Sequence, residues 1–224
     1  MPFRNRVEAG TRLAQALTRY RGHDVVVLAL PRGGVPVAAE VARSLGADLD
    51  LILVRKIGVP TQPELAMGAV VDGPSPLVVR NEDVISISGI SDAEFNAVCD
   101  AERAEIERRR KRYLGGRVPV EVTGRIAIVI DDGVATGATT RAALRATRLR
   151  RPKTLVLAVP VAPTDAVAAM RREADEVVCL EDYDSFGAIG LYYADFRQIS
   201  DDEVIATLAR FPSRLQRPAA GGTH

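Results

Sequence analysis

Five short apolar runs constrain this chain more than any other feature: DVVVLAL (24–30), DLDLILV (48–54), RIAIVI (125–130), TLVLAVP (154–160) and EVVCL (176–180). They are rich in β-branched residues and show little alternation of apolar with polar, the pattern of strands covered on both faces. Such strands need helices above and below, and the intervening segments supply them. Residues 4–20 place Val7, Leu13 and Leu17 near a helical period, and VPVAAEVARSLG (35–46) reads as a helix stopped by Gly46. The stretch 91–113 opens with Ser91 and Glu94 in capping-box spacing, and 139–150 and 164–174 read as further helices. The expected fold class is α/β, a mainly parallel sheet flanked by helices. Between the second and third runs, RKIGVPTQPELAMG (55–68) reads as a long polar loop. AVV and PLVVR then suggest a strand pair around Asp72, Gly73 and Pro74. Residues 181–200 are aromatic-rich and irregular, and the end of the chain, 213–224, reads as a disordered tail.

Charge and rare residues exclude several function classes. A formal net charge of +1 gives no global reason to expect a nucleic-acid or membrane partner. Cys99 and Cys179 are the two cysteines and have no CxxC spacing, so reduced thiols in the cytoplasm are expected. With His23 and His224 the only histidines, a histidine-based metal site is disfavoured. No stretch approaches the roughly 18 apolar residues of a spanning helix, and the N-terminus lacks an apolar signal core. One domain over 1–212 is expected.

Three loops follow strands directly: PRGG (31–34), the 55–68 segment and DDGVATGATT (131–140). In open α/β sheets such loops gather at the carboxyl edge, where ligands bind. In the last of them, Gly133 and Gly137 allow close backbone approach, and the amides of Val134 to Thr139 could form a nest at a helix N-terminus. Thr136, Thr139 and Thr140 add hydroxyls, so the loop can hold a phosphate. It is neither a Walker A loop, which needs a lysine absent here, nor a GxGxxG turn. Asp131 and Asp132 would repel a polyphosphate but accept hydrogen bonds from sugar hydroxyls. Phosphate and diol together describe a ribose 5-phosphate. The bland alternatives are a helix-capping role for the acids, a solvated face for ERRRKR (107–112), and core packing for Tyr183, Phe186, Tyr192, Tyr193 and Phe196.

IVIDDGVATGATT resembles the PRPP-binding signature of type I phosphoribosyltransferases. LPRGGVP resembles the pyrophosphate loop of that family, and LVRKIGVP the Arg-Lys segment that opens its mobile flap. The three stand in the family's order across residues 28–143. The resemblance implies a Rossmann-like core over about 21–180 and a small variable hood built from about 181–200 plus the N-terminal helix. It implies transfer of the 5-phosphoribosyl group of PRPP to a nitrogenous base, with pyrophosphate released and Mg²⁺ as cofactor. Asp131 and Asp132 would hold the ribose and meet the metal through substrate and water. Gly133, Val134, Ala135, Thr136, Gly137, Ala138 and Thr139 would bind the 5-phosphate. Arg32, Gly33, Gly34, Arg55 and Lys56 would bind pyrophosphate, with a strained or cis peptide within Leu30–Gly33. A flap over 57–67 would carry Glu64 as a proton-transfer group, and Tyr183 and Phe186 would meet the base. PRPP and a nucleobase-like acceptor are the expected partners of a homodimer. A non-catalytic PRPP- or nucleotide-binding regulator is the alternative.

Overall fold

The computed structural model describes residues 2–73 and 76–211. In chain order the strands are β1 (Val25–Ala29), β2 (Asp48–Leu51), β3 (Val54–Val59), β4 (Gln62–Val71), β5 (Leu77–Arg80), β6 (Ile126–Ile130), β7 (Thr154–Pro163) and β8 (Glu176–Tyr183). The helices are α1 (Arg6–Ala16), α2 (Gly34–Leu45), α3 (Glu82–Ile87), α4 (Asp92–Leu114), α5 (Ala138–Leu149), α6 (Thr164–Met170) and α7 (Asp201–Ala209). Five strands form a parallel sheet in the order β2-β1-β6-β7-β8, and β3-β4-β5 form a separate antiparallel sheet. The five apolar runs thus supply the parallel sheet, with helices on both faces.

Alternation along the strands sorts the core into two layers. Val25, Val27, Ala29, Ile128 and Ile130 face the side that holds α1, α2, α4 and α7. Val26, Leu28, Ala127 and Val129 face α5 and α6. On the first side α1 lies hard against α2, because a Cβ on Gly10 would stand 2.7 Å from the Val37 carbonyl oxygen. Gly46 ends α2 at φ 66°, a conformation that favours glycine, and Ser91 with Glu94 closes the capping box of α4.

The expected polar loop at 55–68 is instead a β-hairpin, with Val59 opposite Gln62. Its breaker residues misled because each has a tolerated place in it. The register slips around Gly58, where a Cβ would collide with the Pro63 carbonyl oxygen, and Pro63 sits in the exposed outer part of the hairpin. The AVV and PLVVR pair forms as expected, while Pro74 of its turn and the expected tail at 213–224 lie outside the described residues. Helices α3 and α7 had not been expected. Among the described residues no helix is long and apolar enough to cross a membrane.

Candidate functional site

β1 and β6 are adjacent and parallel, yet α2 leaves β1 toward one face and α5 leaves β6 toward the other. A crevice opens at such a switch point, and here it is floored by PRGG and by the acid pair. Gly34 fits only without a side chain: a Cβ there would stand 2.7 Å from the Ile130 carbonyl oxygen and 2.9 Å from the Asp131 Cα. A Cβ on Gly33 would overlap the Asp132 carboxylate. The two glycines therefore bring the first loop into contact with the acids of the second. The Pro31–Arg32 peptide is cis, within the span where the resemblance placed such a bond.

The acids are not equivalent. Asp131 is partly exposed, and its Oδ1 accepts the Asp132 amide at 2.9 Å. Burial, and then the neighbouring Asp132 charge, push the Asp131 carboxyl well above the usual carboxylate range. Asp132 is buried, and its Oδ2 accepts from Arg6 Nε at 2.7 Å. The Tyr193 hydroxyl donates to the Asp132 carbonyl at 2.5 Å. Both carboxylates were expected at the ribose; in the structure Asp132 already carries a guanidinium. Arg6 escaped sequence reasoning, since its partner lies 126 positions away. The only hint was a cation at the first residue of a helix, beside the positive end of the helix dipole.

The loop expected to hold a phosphate has fewer open amides than its seven residues suggest. The Val134 amide donates to the Val161 carbonyl at 3.0 Å, so it is spent on β7. Gly133 is roofed by Ile189, whose Cγ2 would stand 2.6 Å from an added Cβ. From Ala135 to Thr139 no amide meets an acceptor among the described residues, as the start of a helix dictates. Gly137, at φ 75°, caps the twelve-residue α5. Ala135, Thr136, Ala138 and Thr139 are exposed at the strand ends, with Gly137 buried between them.

Arg55 and Lys56 are successive strand residues and point to opposite faces of the hairpin. Arg55 turns to α4, where its Nε meets Glu102 at 2.5 Å. Lys56 faces α5 and lines a cavity of about 490 Å³ with Arg80, Asn81, Thr139 and Arg141. Arg55 does not line it, so the two cations expected together at the pyrophosphate stand on different sides of the hairpin. Lys56 Nζ also holds Glu64 at 2.9 Å, from the hairpin's exposed tip. Arg32 lies 3.5 Å from Asp201 at the start of α7. Asp201 also accepts from the Tyr113 hydroxyl at 2.6 Å. Burial, and then Asp201, push the Tyr113 phenol up to about 12.

The aromatic segment covers the loop start. Phe3 forms a β-bridge with Tyr193, which joins the N-terminal residues to the 181–200 segment. Phe186 lines a second cavity of about 520 Å³ with Ala135, Thr136, Arg141 and Asp165. Tyr183 does not line it; Tyr183 and Phe186 both stack on Tyr192 at 4.8 Å between ring centres. For a divalent ion the donor set is sparse: among the described residues no three His, Cys, Asp or Glu side chains cluster. With Asp132 held by Arg6, Asp131 is the acid left to meet an ion carried in on a ligand's phosphates.

A family model described as "Phosphoribosyl transferase domain" matches residues 3–197. Two proteins of Mycobacterium tuberculosis, from strains CDC 1551 / Oshkosh and H37Rv, carry phosphoribosyl transferase as a provisional name. Each is 50% identical to this chain over 208 residues, 93% of this chain and 46% of its own length. The chain thus spans about half the length of the curated relatives it matches. The crystal structure of TT1426 from Thermus thermophilus is similar at TM-score 0.82 and 41% identity, covering 95% of this chain and 100% of that one.

Proposed function

The chain belongs to the phosphoribosyl transferase domain family, and we propose that it transfers the 5-phosphoribosyl group of PRPP to a nitrogenous base, releasing pyrophosphate. The observation that carries this reading is the meeting of an acid pair and a run of open amides in one loop, pressed against Gly33 and Gly34. In the proposed complex the amides of Ala135 to Thr139 hold the 5-phosphate, and Asp131 accepts from the ribose hydroxyls. Arg32, the amides beside it and Lys56 face the pyrophosphate. Mg²⁺, when bound, would neutralise pyrophosphate charge, and Asp131 would hold it through substrate and water.

A ring nitrogen of the acceptor forms the new bond to C1 as the C1–oxygen bond breaks, its electron pair leaving with pyrophosphate. Positive charge then builds on the sugar, so a carboxylate at the ribose favours the transition state over the ground state. Glu64 can take the acceptor's proton only if the hairpin tip folds over the crevice, which would also exclude water. Phe186, beside Thr136, is the stacking surface for the base. We place the activity in a cytoplasmic homodimer, in keeping with two cysteines that form no disulfide.

A second reading, PRPP binding without turnover, draws support from the carboxylate partners of Arg32, Arg55 and Lys56, which leave few uncommitted cations for a leaving group. One experiment separates them. Incubation with PRPP, Mg²⁺ and a panel of nucleobases should release pyrophosphate with at least one base. Calorimetric binding of PRPP with no release for any base would favour the regulator, and no binding would refute both.

A further inference from the structure

The geometry points to Arg6 as the residue that couples the hood to the acid pair: one guanidinium grips Asp132 through Nε and the hood backbone through Nη1. The inference rests on the proposed role of the acid pair in binding PRPP. Nε lies 2.7 Å from Asp132 Oδ2, with both side chains about nine-tenths buried. Nη1 donates to the Arg197 carbonyl at 2.9 Å. The guanidinium carbon sits 3.8 Å from the centre of the Phe196 ring, which leans on Tyr193 at 5.0 Å. Tyr193 closes the circuit by donating to the Asp132 carbonyl. Asp132 is therefore held twice from the hood, through its carboxylate by way of Arg6 and through its backbone by Tyr193.

A mere stability role explains this less well. Buried ion pairs often contribute little net stability relative to apolar packing, and Arg6 stands at the end of α1 that the helix dipole makes unfavourable for a cation. Both penalties are accepted at a position that touches the ligand-binding loop and the aromatic segment at once. Arg6 is thus a positioning residue. It keeps Asp132 from turning into the crevice, leaves Asp131 to face the ribose, and makes that arrangement depend on a docked hood.

The test is a double-mutant cycle read by hydrogen exchange in the peptide covering residues 189–197. Wild type, Asp132→Asn, Arg6→Met and the double variant are compared without ligand, with β7 amides as the control for global unfolding. Asp132→Asn should speed exchange in this peptide at least about threefold when Arg6 is present and leave it unchanged in the Arg6→Met background. An equal effect in both backgrounds would overturn the coupling. If Arg6→Met does not fold, Arg6→Lys takes its place, since lysine can pair with Asp132 but cannot also reach the Arg197 carbonyl.

A second arm adds PRPP. Wild type should show slower exchange at 189–197 on binding, whereas Arg6→Lys, compared at a PRPP concentration that saturates it by calorimetry, should leave this peptide unprotected. Full protection in Arg6→Lys would refute the link through Nη1. Failure of the wild type to bind PRPP would count against the proposed function alone, because the unliganded cycle still decides the coupling.

Discussion

Replacing Ile57 by alanine should loosen the base of the β3–β4 hairpin and leave its tip as it was. The hairpin has two parts that meet at the register slip around Gly58. Toward the sheet Ile57 and Met67 are fully buried, and Val59, just past Gly58 on the tip side, is nearly so, while residues 60–65 are all exposed. Lifting the whole of 57–67 would bare those three side chains, at about 1.5–3 kcal/mol each, or about 5–9 kcal/mol together. Such an opening would occupy about one molecule in 10⁴ to 10⁶. Motion of 60–65 alone, pivoting beyond Val59, exposes none of them. A lid over 57–67, as the resemblance implied, is therefore proposed here as a lid over about 60–65. Amides of the tip should exchange at least about a thousandfold faster than those of Val54–Ile57 and Met67–Val71. Truncating Ile57 removes about 2–5 kcal/mol, so base amides should accelerate from about thirtyfold to a few thousandfold. Tip amides, already open, should not change. Native-state hydrogen exchange reads both parts at once, and equal acceleration of tip and base would refute a hinge beyond Val59.

Three further outcomes follow from the site. Asp131 carries a raised pKa, so the folded state holds its proton more tightly and loses stability as pH rises above the unfolded value of about 4. Asp131→Asn should then melt higher than wild type at neutral pH, with the gap closing toward pH 4, and bind PRPP at least about tenfold more weakly by calorimetry. Lys56→Ala should weaken PRPP severalfold, whereas Arg55→Ala should leave affinity unchanged and lose at most about 1 kcal/mol of stability with the half-exposed Glu102 pair; the reverse order would contradict the two-faced hairpin. Gly33 has φ −62°, which any residue accepts, so Gly33→Ala acts by contact alone. Pressing on the Asp132 carboxylate, it should lower stability by about 1–3 kcal/mol in thermal melts and reduce PRPP binding with it.

What could be read in sequence was what local chemistry records. The runs at 24–30 and 125–130 announce buried parallel strands because nearly every residue in them is apolar, and β1 is indeed buried throughout. Ser91 and Glu94 announce α4 because a capping box is complete within four residues. The same spacing recurs at Ser200 and Glu203 and starts α7, a signal that lay in plain view after the irregular aromatic stretch. The hairpin was hidden because Gly58, Pro60 and Pro63 are breakers in isolation and become acceptable only once a register slip and an exposed tip are known. The turn of 131–140 into a helix start was legible, since its glycines act where they stand. The inequality of Asp131 and Asp132 was not, because it depends on Arg6 and Tyr193, whose distance along the chain leaves no local pattern.

The bridge between Phe3 and Tyr193 sets the order in which the molecule can be completed during its synthesis. These partners leave the ribosome about 190 residues apart, an interval of about 10–40 s at ordinary elongation rates. Through that time Phe3 and Ala9, which end fully buried, have only part of their packing to find. β1, α2 and β2 can already assemble, because their contacts are close in sequence. The nascent chain thus carries its first residues as an unpaired strand with an apolar anchor. The acid pair receives its guanidinium only when the far end of the domain arrives to clasp it.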